Sequence, residues 1–401
     1  MATTARRLAS INGAKTAPAL GELILSAATA AQPLIRSEAA ASEELRTLTP
    51  TVVNALREAG VFRMTMPRSL GGPELTPSEQ FEVLEAISIA DGSAGWCAYI
   101  NSTAGFFAAF LDDRVARSMF PSLDLPIAGM PIPVGRAVEV DGGFRINGRW
   151  SFASGILHAG WVLCGCRIHD DAGQPVSLAD GSPANVVGLL PSEQVEVIDN
   201  WDSLGMRGSG SHDFIVNDVF VPRERTLNAY TSVIRVPRPL YRWRTMFLFN
   251  QAAVVLGIAR AALDAFIELA HARRTPTGPL HEQEHARVAL AKAHATLASS
   301  RGYCLATLDG IYATLERGKP LTLEQRADFR LALTHSMRAA ADAVDEVFRA
   351  AGATAAIRTG SVLERCFRDV HTAGQHAAVG PDTYEVTGTM LLGSDPGDPR
   401  Y

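Results

Sequence analysis

The segment formed by residues 368–376 carries side chains that could do acid–base chemistry. Arg368 and Asp369 form a charged pair that could fix a helix end, and His376 follows the aspartate by seven residues. Histidine changes its charge near neutral pH, so His376 could act as a proton donor, a proton acceptor or a hydrogen-bond partner. A core histidine, or one that caps a helix, gives the same pattern. The role of His376 therefore depends on what surrounds it.

Two other patterns of reactive residues point away from metal and serine chemistry. Cys164 and Cys166 lie in a run that alternates like a strand and has no second ligand pair nearby, which favours buried small side chains over a metal site. The Gly-Ser-Gly-Ser stretch at 208–211 lacks the strand–turn–helix context of a hydrolase nucleophile. Neither pattern competes with His376.

The composition is that of a soluble globular protein of two or three domains, with 401 residues, 47% hydrophobic and 20% charged. A net charge of -5 without runs of Lys or Arg predicts neither nucleic acid nor an anionic membrane as a partner. No stretch has the roughly 18 uninterrupted apolar residues of a membrane span. Five cysteines and a start without a secretory signal predict a cytoplasmic location.

The elements that must position His376 follow a flexible tail at residues 1–19 and fall into three blocks. Residues 20–126 have apolar side chains at helical spacing and predict a helical domain. Residues 127–238 change to short β-prone runs separated by turn signals, which predicts an antiparallel β domain. Residues 239–401 return to long amphipathic runs and predict a helical bundle with a terminal tail.

Local signals refine two of these blocks. In the first, Thr76, Pro77 and Glu79 have the spacing of a helix start, with proline where its missing N–H costs little. In the second, Asn147 and Gly148 form a dipeptide typical of a tight turn between strands.

Three motifs lie in a fixed order along the chain. Residues 147–155 read NGRWSFASG and are followed by Trp161, residues 201–214 read WDSLGMRGSGSHDF, and a long helical run ends with the Arg368-Asp369 pair. Together they resemble the acyl-CoA dehydrogenase superfamily over most of the chain. The resemblance implies an α+β fold with an N-terminal helical domain, a middle antiparallel β domain and a C-terminal four-helix bundle.

Two branches of this superfamily differ in what stands at the base positions. In its dehydrogenases a catalytic carboxylate occupies the place of Ala377 or, in some members, of Phe247. Neither side chain can accept a proton, so dehydrogenation by that route would lose about two to four orders of magnitude in rate. A histidine at the place of His376 resembles instead the two-component flavin-dependent monooxygenases, the group D hydroxylases.

The monooxygenase resemblance implies the oxygenase component of a two-component system. Such an enzyme uses reduced flavin and O2, passes through a C4a-hydroperoxide and oxygenates an aromatic or polycyclic substrate. His376 would hydrogen-bond the hydroperoxide or deprotonate the substrate, while Ala104 replaces a second histidine of phenol hydroxylases and weakens the case for a simple phenol. The alternatives are an acyl-CoA dehydrogenase with a non-standard base and a non-catalytic member that binds nucleic acid.

The resemblance also implies which residues surround the flavin. Ser154 stands where the family places a hydroxyl close to the flavin ring, and a hydroxyl can both donate and accept hydrogen bonds. Phe152 and Trp96 stand where aromatic side chains wall the flavin, although either could be an ordinary core residue. Arg207 and Ser211 either contact the flavin or only brace their turn.

The region expected to hold the cofactor's diphosphate departs from the dehydrogenase pattern. Residues 350–354 contain a single glycine, Gly352, where the dehydrogenases have a Gly-Gly-x-Gly loop. This favours reduced FMN, or FADH2 held loosely, supplied by a separate NAD(P)H flavin reductase. Arg273 and Arg274 are candidates to bind a flavin phosphate across a subunit interface of a homotetramer, or they form a solvated helix end.

Overall fold

The computed structural model describes residues 19–228, 231–353, 359–398 and 401. The predicted flexible tail lies outside these ranges except for Ala19, and so does Thr354 of the predicted diphosphate region. Within them the chain runs through six helices, a sheet and six further helices. The α+β class is therefore confirmed, whereas the domain boundaries at 126/127 and 238/239 stay a prediction.

The N-terminal helices begin at residues suited to capping. The Thr76 hydroxyl accepts the Glu79 N–H, the Glu79 carboxylate accepts the Thr76 N–H, and Pro77 occupies the first helical position, as predicted. Thr49 caps the second helix by accepting the Val52 N–H. The helices are α1 (Leu20–Leu45), α2 (Pro50–Glu58), α3 (Pro77–Ala90), α4 (Gly92–Asn101), α5 (Ala104–Ala108) and α6 (Asp113–Met119).

One seven-stranded sheet follows these helices. Its strands are β1 (Ile127–Val140), β2 (Gly143–Ala153), β3 (Trp161–His169), β4 (Asn185–Pro191), β5 (Glu196–Ile198), β6 (His212–Pro222) and β7 (Thr226–Leu227). Their order in the sheet is β5-β6-β2-β1-β3-β4-β7. Trp150 and Phe214 stack at 5.1 Å between ring centroids in its buried face. The C-terminal end of β2 and the N-terminal end of β6 lie nearest the candidate site.

The sheet is antiparallel as predicted except for one pair of strands. β1 and β3 run parallel, with Ile127 beside Trp161. The reason lies in the connection: β2 returns antiparallel to β1, and residues 154–160 then carry the chain across the start of β1, so β3 enters in the same direction as β1. That crossing segment contains Ser154.

The turn predicted at Asn147 and Gly148 is wrong. Both residues lie inside β2, because the chain has already reversed at Gly142, whose φ is +77°. The register of β2 against β6 shifts between Ile146 and Gly148. A side chain at Gly148 would approach the Trp150 ring to 2.8 Å, so glycine here serves close packing rather than a turn.

The C-terminal helices form the predicted bundle. They are α7 (Pro239–Arg242), α8 (Asn250–Ala272), α9 (Glu284–Glu316), α10 (Leu323–Ala351), α11 (Val362–Ala373) and α12 (Asp382–Leu391), with a short hairpin, β8 (Arg274–Thr275) and β9 (Gly278–Pro279), between α8 and α9. α8 packs against α3, α10 and α11 and is buried along most of its length. Gly257 lets α8 approach α3 closely, since a Cβ there would lie 2.5 Å from Ser88 Cβ.

The charged pair that precedes His376 lies inside α11 and does not fix a helix end. Arg368 reaches Glu43 of α1 at 2.6 Å and also pairs with Glu364 one turn earlier. Asp369 Oδ1 accepts the backbone N–H of Met206 at 2.5 Å. The pair therefore ties α11 to α1 and to the loop before β6, three parts of the chain that meet at the candidate site.

The described residues contain neither a membrane-spanning helix nor a cluster of metal ligands. None of the described helices is both long and apolar enough to cross a membrane. Within the same ranges, His, Cys, Asp and Glu side chains form no group of three or more that could hold a metal ion.

Candidate active site

His376 follows the end of α11 and begins a 3-10 turn, Ala377–Val379. Its Nδ1 accepts the backbone N–H of Ala378 at 3.1 Å, and Gln251 Nε2 of α8 lies 3.4 Å from the same nitrogen. Burial, helped by the positive charge of Arg330, lowers the pKa of His376 to about 4. The imidazole is therefore neutral at physiological pH.

The backbone contact decides where the single proton of the neutral ring sits. Because Nδ1 accepts a hydrogen bond, it carries a lone pair, and the proton must be on Nε2. His376 thus offers an N–H donor from Nε2. It could act as a base through Nε2 only after moving its proton to Nδ1 and giving up the bond to Ala378.

Trp96 connects His376 to a chain of hydroxyl groups. The Trp96 ring lies 5.8 Å from the His376 ring, and its indole N–H donates to Ser154 Oγ at 3.0 Å. Ser154 Oγ is 2.7 Å from Ser211 Oγ, which is 2.7 Å from Ser209 Oγ. The structure therefore brings Trp96, Ser154, Ser211 and His376 into one cluster. They come from four separate parts of the chain: α4, the connection between β2 and β3, the residue before β6, and the turn after α11.

Phe152 stands two residues before Ser154 in an unusual position. Its side chain is 64% exposed, and its φ is +66°, a conformation that costs an aromatic residue energy. Its ring meets the Trp201 ring edge-on at 6.3 Å. A strained backbone that holds an aromatic face toward solvent favours a binding role over the core role that was the alternative for this residue.

A second histidine lies on the other side of Ser154. His158 Nε2 is 2.8 Å from Asn101 Oδ1, and Asn101 Nδ2 donates to the carbonyl oxygens of Ile127 at 2.8 Å and Ser154 at 3.1 Å. Since the two donations make Oδ1 the acceptor, His158 carries its proton on Nε2. Its buried Nδ1 has no partner among the described residues, and burial lowers its pKa to about 4.

Two of the three arginines proposed to contact the cofactor have protein partners among the described residues. Arg207 Nη1 donates to Asp202 Oδ1 at 2.7 Å and to the Ser203 carbonyl at 2.9 Å, so it braces its turn. Arg273 donates to the Ala351 carbonyl next to Gly352. Arg274 is exposed in β8.

Four further residues contribute no acid–base group to the cluster. Ala104 is buried at the start of α5, and Phe247 packs against Phe106 with 5.8 Å between ring centroids. Ala377 is exposed in the turn after His376. His371 pairs with Asp345 at 2.9 Å outside the cluster.

The sequence motifs do not include Gln251, and the sequence leaves open whether Tyr99 and Asn101, which lie on one predicted helix, supply polar contacts to the site. Gln251 is fully buried, and its Nε2 is 3.1 Å from Tyr99 OH as well as near His376. A signal existed, since Gln251 is a polar residue in a mostly apolar stretch of α8. Asn101 follows Trp96 by five residues on α4, and which face it occupies could not be read from spacing alone.

The chain is similar to known proteins over most of its length. The family model "Acyl-CoA dehydrogenase, C-terminal domain" matches residues 249–381. An indole-3-acetate monooxygenase of Pseudomonas putida is 33% identical over 357 residues, 88% of this chain and 89% of its own. The flavin-dependent monooxygenase oxygenase subunit HsaA of Mycobacterium tuberculosis is 31% identical over 391 residues, 94% of this chain and 96% of its own. The crystal structure of the M. tuberculosis HsaA monooxygenase matches with a TM-score of 0.86 at 30% identity, over 95% of this chain and 100% of that one.

The fold and the sequence similarity together define the class. The chain belongs to the flavin-dependent monooxygenases of that fold family. It is an oxidoreductase of the kind that uses reduced flavin and O2, which sets aside the dehydrogenase and nucleic-acid alternatives drawn from the sequence.

Proposed function

We propose that this protein is the oxygenase component that hydroxylates an aromatic or polycyclic compound. One atom of O2 enters the substrate as a hydroxyl, and the other leaves as water with two electrons and two protons from the reduced flavin. The observation that carries the proposal is His376, held as a neutral Nε2–H donor beside Trp96 and Ser154. The dehydrogenase base positions are Ala377 and Phe247, which cannot take up the proton of an acyl-CoA.

The residues of the cluster fit a bound flavin ring. Phe152 presents an exposed aromatic face, and the hydroxyls of Ser154 and Ser211 form a polar row. His158 Nδ1 is a buried acceptor to which no described residue donates. When bound, reduced flavin would supply the electrons that activate O2. We assign Phe152 and Trp96 to walling the ring and Ser154 to a hydrogen bond with it, since Trp96 and Ser211 already hold its hydroxyl in place.

Two segments assigned independently to the cofactor's phosphate end lie in contact, which supports that assignment. Arg273 bonds the Ala351 carbonyl and lies beside Gly352, where a Cβ would be 3.5 Å from its Nη1. Arg274 is exposed in the adjacent hairpin and free to meet a phosphate. A single glycine in this region supports reduced FMN, or FADH2 held loosely.

His376 acts as a hydrogen-bond donor in this proposal, not as the base that deprotonates the substrate. Its Nδ1 is committed to Ala378, and burial keeps the ring neutral. The Nε2–H can donate a hydrogen bond to O2 or to an oxygen atom of the substrate. Neither bond requires the His376 ring to change its protonation. Burial of Trp96, Ser154 and Ser211 excludes water from the same place, which limits loss of O2 as peroxide.

The partners follow from the same class. HsaA is named an oxygenase subunit, and we propose that this chain likewise receives reduced flavin from a separate NAD(P)H flavin reductase. We propose a homotetramer, as the resemblance to the acyl-CoA dehydrogenase superfamily implies, with Arg273 and Arg274 as candidates to bind a flavin phosphate of a neighbouring subunit. A cytoplasmic location is supported by five cysteines that are all buried and unpaired.

The test is the reaction of bound reduced flavin with oxygen. The protein is mixed anaerobically with reduced FMN, or in parallel with FADH2, and then with oxygenated buffer, while flavin absorbance and H2O2 are followed. We expect H2O2 release to be delayed at least tenfold relative to free flavin. Release at the rate of free flavin, with both cofactors, would reject the proposed function.

A further inference from the structure

Gln251 is a fully buried residue whose carboxamide is only half satisfied. Its Nε2 lies 3.1 Å from Tyr99 OH and 3.4 Å from His376 Nδ1. Its Oε1 is buried and has no hydrogen-bond partner among the described residues. Buried polar atoms in folded proteins are almost always paired, so an acceptor that stays open inside a binding cluster points to a ligand.

The neighbouring histidine decides which end of the carboxamide is the oxygen. His376 Nδ1 acts as an acceptor, since it takes the Ala378 N–H, and Gln251 lies 3.4 Å from the same nitrogen. An amide oxygen at that place would face another acceptor, whereas an N–H group faces it favourably. The NH2 end thus points at Tyr99 and His376, and Oε1 is the open end.

Gln251 itself belongs to the cluster in which we place the reaction. The Trp96 ring centroid is 5.6 Å from that of Tyr99 and 5.8 Å from that of His376. Gln251 contacts both of these neighbours of Trp96. Another acceptor without a partner among the described residues, His158 Nδ1, belongs to the connection that carries Phe152 and Ser154 and is assigned to the flavin side.

We propose that Gln251 Oε1 receives an O–H or N–H group of the substrate. The enzyme then selects aromatic compounds that carry such a donor over compounds of the same shape that lack one, because without the donor the buried oxygen stays unpaired. This inference rests on the proposed function, since it names the substrate class of that same site.

The experiment compares isosteric pairs by equilibrium dialysis under anaerobic conditions, with and without reduced FMN. Indole is paired with benzofuran, in which oxygen replaces the N–H, and phenol with fluorobenzene. We expect the wild-type protein to bind each donor compound about tenfold more tightly than its partner, the size of effect typical of one buried hydrogen bond. In Gln251→Met, which keeps the chain length but lacks the acceptor, both ratios should fall to about one.

A control variant separates recognition from damage to the fold. Gln80→Met changes a buried glutamine whose two ends are satisfied, by the Leu75 carbonyl at 2.8 Å and by Asn250 Nδ2 at 3.1 Å, and should leave the ratios unchanged.

Three outcomes would overturn the inference: equal wild-type affinities within each pair, no binding of indole or phenol, or an unchanged preference in Gln251→Met. None of them depends on oxygen chemistry. A clear preference for donors together with unprotected flavin reoxidation would reject the proposed function while showing that Gln251 recognises donors.

Discussion

His376 and His158 have much in common and yet offer opposite groups to a ligand. Burial lowers the pKa of each to about 4, and in each the proton sits on Nε2. At His376 a backbone N–H occupies Nδ1, which leaves the Nε2–H free. At His158 the Asn101 oxygen occupies Nε2–H, which leaves the Nδ1 lone pair free. One histidine is a donor and the other an acceptor because of their partners alone.

The comparison shows that the residue type does not fix the chemistry of a buried histidine. Both rings lose the ability to switch charge near pH 7, which was the property that singled out His376 in the sequence. What remains is a fixed hydrogen-bonding role. When one nitrogen of a neutral ring is already hydrogen-bonded, the other nitrogen is fixed as either a donor or an acceptor. The site is thus built from fixed hydrogen-bonding groups, which suits a reaction that must exclude water and stray protons.

The largest effect is expected from removing the His376 donor. His376→Ala should speed H2O2 release from bound reduced FMN at least tenfold, toward the rate of free flavin, since one positioned donor is worth about two to three orders of magnitude. His376→Gln places an amide N–H near the position of Nε2 and should stay within about threefold of wild type. Stopped-flow measurement of H2O2 release checks both.

His371→Gln is the matched control for these variants, because His371 pairs with Asp345 outside the cluster. It should behave as wild type. If His376→Gln were as damaged as His376→Ala, the ring would be acting as a base, and the donor assignment would be wrong.

The next effect separates structure from binding at His158. His158→Gln can keep an N–H toward Asn101 but loses the Nδ1 acceptor, so we expect reduced FMN to bind about tenfold more weakly with little change in the free energy of unfolding. Asn101→Leu removes bonds to His158 and to the Ile127 and Ser154 carbonyls. It should lower the free energy of unfolding by about 3 kcal/mol.

Anaerobic flavin titration and urea unfolding measure these two quantities. A His158→Gln protein that binds flavin normally would show that the open Nδ1 does not face the cofactor. Unchanged stability in Asn101→Leu would show that the network around Ser154 does not hold the connection in place.

The pH dependence tests whether the His376 ring is neutral. A folded pKa of about 4 against about 6.5 in the unfolded chain means that the unfolded state binds more protons between these values, so stability falls as pH drops below 6.5. Between pH 7.5 and 5 the loss is about 2 kcal/mol for one histidine. Urea unfolding of wild type and His376→Gln at the two pH values isolates the contribution of His376 to the pH dependence of stability.

The comparison between variants is needed because Asp369 acts in the opposite direction. Burial and the nearby Asp91 carboxylate raise the pKa of Asp369 to about 7. The stability that this group gives to the folded protein is therefore lost as the pH rises from 3.8 toward 7. Its contribution cancels between wild type and His376→Gln. An equal pH dependence of the two proteins would contradict the lowered pKa of His376.

The smallest effect on stability is expected at Phe152. Phe152→Gly relieves a φ of +66° on an exposed residue and should raise the free energy of unfolding by about 1 kcal/mol. The same change should weaken reduced FMN binding severalfold by removing an aromatic face. Thermal unfolding and flavin titration check the two signs, and a Phe152→Gly protein that is less stable would show that the ring serves packing.

The sequence by itself determined the fold class, the block of helices on each side of the sheet, and the helix start at Thr76 and Glu79. These features depend on periodicity and capping, which are local properties of the chain. The family resemblance also indicated Ser154, Trp96 and His376 as a set, because matching positions within a family occupy the same place in its common fold.

Only the tertiary structure decided how these residues work. The proton position of His376 depends on Ala378, and the orientation of Gln251, 125 positions away, depends on that proton. The bond between His158 and Asn101 spans 57 positions, and the parallel pairing of β1 with β3 reverses the direction expected from alternation. Hydrogen-bond partners across such separations are set by how elements pack, and no local pattern encodes which end of a ring or an amide will be left free.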